Sequence, residues 1–219
     1  VLREVADDWG LPLVEDAAEA LGSWRGNIHC GLFGAVGTLS FNGNKLITTG
    51  GGGALLTNDA DLAKRARHLS TTAKLAHPWA FDHDAVAWND RMPNLNAALG
   101  VAQLEDLERR LQAKRLLFHK YRDAIAGLAD VELVAETNGS TSNHWLVALR
   151  FTTENPQVAC QQRLQLLKAG HEAGLLMRPV WTLLHQLPMY ASAPRGELSA
   201  AEDQSLRLVN LPSSPQLLQ

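Results

Sequence analysis

Cysteine is scarce in this chain: there are two in 219 residues, Cys30 and Cys160, far apart in sequence. So small a number supports no disulfide framework and makes a reducing, cytoplasmic setting the default expectation. Aromatic residues are also few, at 6%, with only two tyrosines. Basic charge is not in excess: 20 Lys and Arg stand against 23 Asp and Glu, for a formal net charge of -3. With no run of Lys or Arg, the chain offers no footprint for nucleic acid or an anionic membrane surface. No apolar stretch approaches the roughly 20 residues that span a bilayer, and the N-terminus lacks the charged-then-apolar build of a signal peptide. Internal repeats and low-complexity tracts are absent as well. Small molecules and other proteins remain as partners.

What is present is enough for a real core, since 46% of the residues are hydrophobic and 20% charged. Strands and helices alternate. The run 11–16 reads as a short apolar strand whose acidic residues fall at its C-terminal end, where open α/β sheets place ligand contacts. A second strand is expected near 37–41, and 46–48 with 54–57 flank Gly50–Gly53 like a hairpin. Asn58-Asp59 caps a helix to about Leu69. Residues 73–91 read as a long irregular loop, a kind that in compact domains usually has a function. Pro93 opens one long helix running to about Ala126. After Gly127 a smaller unit follows, with strands at 131–134, 144–151 and 175–180 and helices at 156–174 and 198–208. The expected division is therefore a domain 1–127 and a small α/β domain 128–219. Val1–Gly10 reads as the end of an amphipathic helix without an initiator Met, and 211–219 as a loop with an unfinished apolar start, so both ends are expected to be truncation points.

The segment Ser40-Phe41-Asn42-Gly43-Asn44-Lys45, followed by Leu46-Ile47-Thr48-Thr49 and four glycines, carries the clearest chemistry. Pyridoxal phosphate requires a lysine to hold it, a carboxylate to keep its pyridine nitrogen protonated, and donors for its phosphate. Lys45, Asp16 and Ser40 supply those groups in that order. Ala17 and Ala18 would let a flat ring lie against the strand end, and the glycines would let the backbone turn sharply beside the lysine. Each signal alone has a plain alternative: a lysine before glycines is ordinarily a solvated loop residue, and an Asp after a strand ordinarily caps a turn. A phosphate loop of the Walker type is excluded, because Lys45 is preceded by Asn44 and followed by Leu46. Neither His29 with Cys30 nor His77 with His83 has the repeated spacing of a metal site.

Three segments stand in a family's order: Val14-Glu15-Asp16-Ala17-Ala18-Glu19, the Ser40–Lys45 run with its glycines, and Trp88-Asn89-Asp90-Arg91-Met92-Pro93-Asn94-Leu95-Asn96-Ala97-Ala98. Together with Ser142-Asn143-His144-Trp145, Arg178-Pro179-Val180-Trp181 and Leu211-Pro212-Ser213-Ser214, they resemble the DegT/DnrJ/EryC1/StrS sugar aminotransferases over nearly the whole chain. The Phe41–Lys45, Arg178–Thr182 and Leu187–Tyr190 stretches look most like the branch that aminates nucleotide-linked precursors of legionaminic-type sialic acids.

The resemblance implies an α/β chain of fold type I: the C-terminal part of a large, mostly parallel-sheet cofactor domain, plus the small domain. It implies that Lys45 carries pyridoxal phosphate and serves as acid and base, that Asp16 pairs with the pyridine nitrogen, and that Ser40 holds the phosphate. Ala18 would lie against the cofactor ring. Glu19 stands where relatives have a polar residue near the phenolic oxygen. Asn89 matches an Asn that reaches the neighbouring subunit's site, which implies a homodimer with shared sites. Trp88 and Asp90 replace tyrosines common in the family, which leaves the register between Asn89 and Arg91 open, with Arg91 also a substrate-side candidate. Arg178, Trp181 and His185 are candidates for the diphosphate, sugar or base of a nucleotide sugar. Against that, Trp181 and His185 are four apart and suit one face of a helical turn, and Arg178 suits an ordinary ion pair.

The implied reaction moves an amino group from glutamate to the keto carbon of a nucleotide-linked 4-keto-6-deoxy sugar. A Gly-Thr-Ala turn and a ring-stacking aromatic found upstream in the family are not in this sequence, so the chain is expected to be a fragment lacking the N-terminal part and inactive alone. A cofactor-dependent sugar dehydratase is the enzymatic alternative, opposed by Lys45, which such relatives replace with His. A non-catalytic binding or regulatory relative is the alternative of another class.

Overall fold

The computed structural model describes residues 1–218; Gln219, the last residue of the expected small domain, lies outside the described residues. In chain order, α1 (Leu2–Asp8), β1 (Val14–Asp16), β2 (Trp24–Arg25), β3 (Ile28–His29), β4 (Val36–Ser40), β5 (Gly53–Leu56) and α2 (Ala60–Ser70) precede a long irregular stretch. α3 (Asn94–Glu105), α4 (Leu107–Ile125), β6 (Val131–Leu133), β7 (Ser140–Thr141), β8 (Val147–Phe151), α5 (Pro156–Glu172), β9 (Arg178–Pro179), α6 (Ser199–Arg207) and β10 (Leu208–Leu211) follow. Among the described residues no helix is long and apolar enough to cross a membrane. Two compact units form, one from Val1–Leu111 and Thr137–Trp145, the other from Gln112–Glu136 and Leu146–Gln219. Against the 1–127 and 128–219 division read from the sequence, most of α4, from Gln112 on, groups with the second unit, and residues 137–145 group with the first.

In the first unit β1 pairs parallel with β4, Asp16 opposite Thr38, and β4 pairs antiparallel with β5, Ser40 opposite Gly53. Of these two pairings only one is parallel. The parallel pair brings Asp16 and Ser40 to the same C-terminal edge of the sheet. The hairpin expected between 46–48 and 54–57 is not formed; the partner of β5 is β4, and the bond from Phe41 N to Gly52 O (2.9 Å) closes that hairpin. The reason is burial. Leu46, Ile47 and Thr49 point inward, with Ile47 and Thr49 only 1% exposed, so the stretch after Lys45 fills the core instead of extending. A second small sheet joins β3, β2 and β7, with Trp24 opposite both His29 and Thr141.

The single helix expected from 93 to 126 is broken at Asp106 (φ -96°, ψ 1°). Its carboxylate takes Arg109 through Nε and Nη2 (2.6 and 2.8 Å) and Arg110 through Nε (3.0 Å), pairs three and four residues apart that support the first turn of α4. The Arg109 guanidinium holds the Asp106 carboxyl below the usual carboxylate range. Asp59 caps α2 as expected, its Oδ1 accepting from Asp61 N and Leu62 N at 2.8 and 2.9 Å.

In the second unit β6, β8, β10 and β9 make an antiparallel sheet in that order. β8 alternates, burying Val147, Leu149 and Phe151 against Phe118, Ala159, Met177, Val209 and Leu211. Asn155 and Pro156 start α5 in the usual way: the Asn155 side chain accepts from Gln157 N at 2.9 Å, and proline occupies a position with no amide to satisfy. Arg207 is buried against Asp203 (2.8 Å) and donates to Thr153 O at 2.6 Å.

Candidate active site

Both polar ends of the first sheet are shaped by turns. Asp16 is exposed, and its Oδ1 accepts from Ala18 N at 3.1 Å, which bends the chain away immediately after β1. Ser40 Oγ accepts from Asn42 N at 3.3 Å, and Lys45 N donates to Asn42 O at 3.1 Å, so the chain folds back over residues 42–45. This turn carries the Lys45 side chain into a small open cleft walled by Ala18, Glu19, Ser40, Asn143 and Trp145 over an apolar floor of Leu46 and Ile47. The Lys45 side chain is only 12% exposed. Its ammonium is paired with the Glu19 carboxylate and lies 4.5 Å from the centroid of the Trp145 ring.

The glycines after the lysine are required by backbone conformation. Gly50, Gly51 and Gly52 take φ of 79°, 156° and 88°, which side chains rarely adopt. This loop is tied to α3: Asn96 Nδ2 donates to Thr49 O (2.6 Å), and Thr48 N donates to Gln103 Oε1 (3.1 Å). The residues following Lys45 are therefore anchored at both the core and the helix.

Of the residues expected from the sequence, Ala18, Glu19, Ser40 and Lys45 come together in the cleft. Asp16 lies two residues before Ala18 at the strand end and is not among the lining residues. Asn89 and Arg91 are exposed on the irregular stretch, where Asn89 bridges to Thr71. Arg178, Trp181 and His185 belong to the second unit. Arg178 lies on β9 opposite Asn210, exposed; Trp181 is 66% exposed. His185 Nε2 is 3.0 Å from Glu202 Oε1, on a 3-10 turn Leu184–Gln186 that excludes Trp181. The shared helical turn suggested by their spacing is thus not formed.

Two wall residues, Asn143 and Trp145, were given no role by the sequence. The only signal was the Ser142–Trp145 run itself, which carried the family resemblance without saying what its side chains touch.

Comparison with known proteins gives the family. The family model of the DegT/DnrJ/EryC1/StrS aminotransferases matches residues 1–219. The chain belongs to this family. A GDP-perosamine synthase of Vibrio cholerae is 36% identical over 217 residues, which are 99% of this chain and 58% of that protein. A second GDP-perosamine synthase, from Escherichia coli O157:H7, is 35% identical over 214 residues, 98% of this chain and 56% of the relative. Among solved structures, the aminotransferase TlmJ from Streptoalloteichus hindustanus superposes with a TM-score of 0.86 at 26% identity, covering 98% of this chain and 56% of that one. The chain thus spans little more than half the length of these relatives. Solved members of the family are pyridoxal-phosphate-dependent sugar aminotransferases of fold type I, and the mixed α/β fold described above is theirs.

Proposed function

We propose that this DegT/DnrJ/EryC1/StrS family chain handles cofactor and substrate in a pyridoxal-phosphate-dependent aminotransferase. The amino group passes from glutamate to the keto carbon of a nucleotide-linked 4-keto-6-deoxy sugar, for bacterial surface-glycan or sialic-acid-like sugar synthesis in the cytoplasm. The observation that carries this reading is the Lys45 ammonium, held between a carboxylate and an indole face in an open cleft beside Ser40. A surface lysine would be solvated and unpaired. GDP-perosamine synthases at 34–36% identity over 97–99% of this chain support a nucleotide-linked sugar substrate. The finer placement, in the legionaminic-type branch, rests on the Phe41–Lys45, Arg178–Thr182 and Leu187–Tyr190 stretches.

The residues present fit the cofactor: one amine and one strand-end hydroxyl in the cleft with a small wall at Ala18, and a carboxylate two residues before that wall at the strand end. When bound, pyridoxal phosphate supplies an electron sink for the carbanion left when a proton leaves the amine-bearing carbon. Asp16 would hold a proton on the pyridine nitrogen, and Ser40 Oγ would hold the phosphate. Lys45 would anchor the cofactor, then use Nζ to carry a proton between the substrate carbon and the cofactor's C4′. Glu19, which pairs with Lys45 in this structure, would sit by the phenolic oxygen and steady that amine. Asn89, with Arg91 as the alternative register, would reach the site of a second copy in a homodimer. Arg178, Trp181 and His185 would meet the nucleotide sugar, with Arg178 suited to its diphosphate.

The test has two arms. Borohydride trapping followed by peptide mass analysis should place pyridoxal phosphate on Lys45, and Lys45→Ala should abolish the adduct. A separate, unreduced sample of the full-length protein loaded with pyridoxal phosphate, given glutamate and a panel of nucleotide 4-keto sugars, should convert at least one to its amino sugar by mass spectrometry. Loading without amination of any sugar would sink the transferase reading in favour of a binding role.

A further inference from the structure

Asn143 and Trp145 converge on Lys45 from far downstream in the chain. Asn143 is 3% exposed, and its side-chain amide donates to Glu19 O at 2.6 Å and to Leu21 O at 2.9 Å. Its Oδ1 accepts from Trp145 N at 2.8 Å, while its own N–H goes to Ser23 Oγ at 3.0 Å. One buried side chain therefore fixes the backbone of both residues whose side chains touch the Lys45 ammonium. Trp145 then acts at two points. Its indole Nε1 donates to Asn44 O at 2.9 Å, holding the peptide just before Lys45, and its ring lies 4.5 Å from the Lys45 Nζ. The first contact sets where the lysine stem begins, and the second attracts its charged end through the ring quadrupole. Glu19 supplies the third constraint. A flexible stem with a compact charge at its tip is thus directed at both ends.

We propose that Trp145 is a positioning residue for Lys45, with Asn143 setting Trp145 and Glu19 in place; the inference rests on Lys45 being the reacting amine. A plain packing wall would need the bulk of Trp145 but not its electron-rich face. The two are separable because fluorination drains the ring's negative face at nearly constant shape, and it leaves the indole N–H in place.

The experiment uses the cofactor-free chain with mono-, di- and trifluorotryptophan placed at position 145 only. Lys45 labelling by trinitrobenzenesulfonate is followed by peptide mass at one fixed pH, with Lys64, Lys120 and Lys168 as internal standards. As the ring's hold on the ammonium weakens, the Lys45 rate should climb stepwise, by about 2- to 5-fold across the series. The other lysines should not change. Trp145→Phe, which keeps a ring face and loses the N–H, should label more slowly than Trp145→Leu, with both variants melting as cooperatively as the parent. A labelling rate that is flat across the fluorinated series overturns the proposal. Because neither cofactor nor sugar is present, that outcome is distinct from a failed amination assay, which would leave the labelling result standing.

Discussion

Lys114 offers a prediction whose sign can be worked through. It lies on α4 in the second unit, 4% exposed, with Nζ donating to Ser213 O at 2.6 Å. Burial pushes its pKa down from 10.5 to about 8, since leaving water disfavours the charged amine. The folded value lies below the unfolded one. Between those values the unfolded chain binds the extra proton, so stability rises with pH across the window. At about 1.4 kcal/mol per pKa unit, the folded state is penalised by about 3 kcal/mol below pH 8, and most of that is relieved by about pH 10. Lys114→Met keeps the stem but removes the amine, along with a charge-assisted hydrogen bond worth about 1.5–3 kcal/mol net. At neutral pH these terms nearly cancel, so a comparison at a single pH decides nothing. Urea unfolding of both proteins at several values from about pH 7 to 10 should show the parent gaining on the variant by about 2 kcal/mol between about pH 8 and 10. Burial pushes the neighbouring Tyr121 phenol up, but it titrates in both proteins and drops out of the difference. A difference that is flat with pH, or that moves in the variant's favour as pH rises, would refute the reasoning.

Two further expectations follow from the first unit. Gly100→Ala in α3 should destabilise by about 1–3 kcal/mol in urea unfolding, although the same change in an open helix gains about 1 kcal/mol; the added Cβ would stand 2.8 Å from the buried Thr49 Cγ2. At acid pH, the pair of His68 Nε2 and Asp84 Oδ1 (2.6 Å) should fail, because the His68 hydrogen bond holds the Asp84 carboxyl below its ordinary 3.8. A depressed carboxyl contributes stability above its unfolded value that is lost as pH falls through the folded one. Hydrogen exchange at Leu75 and Asp84, whose amides bond to Asp82 O and Ala73 O, should therefore accelerate beyond its intrinsic rate below about pH 4, and Asp84→Asn should remove that dependence.

Features set by local chemistry were legible in the sequence. The Asp59 cap of α2, the Asn155-Pro156 start of α5 and the alternation of β8 each depend on neighbours within a few residues. The strand-end positions of Asp16 and Ser40 and the turn to Lys45 are local too, although bringing them to one sheet edge takes the pairing of β1 with β4. Other features depend on distant partners. β7 is two residues long and exists as a strand only because it pairs with β2 across more than a hundred residues. The sequence around Ile47 suits a hairpin, yet burial decides its conformation. Asp106 sits among good helix formers, with no glycine or proline beside it to mark the break. Asn143 and Trp145 escaped assignment for the same reason: nothing near them in sequence reveals that their partners are Glu19, Leu21 and Asn44.

The bonds that build the cleft span 124 residues from Asn143 to Glu19 and 101 from Trp145 to Asn44. Translation at about 5–20 residues per second leaves Lys45 outside its finished surroundings for roughly 5–20 s after it is made. Throughout that interval its amine is an ordinary one on a growing chain, without the indole that later directs it. The site is thus closed late, by long-range pairings that are intrinsically slow to form. A polypeptide interrupted before residue 143 would carry the lysine, the carboxylate and the glycines, and still lack the cleft that makes them act together.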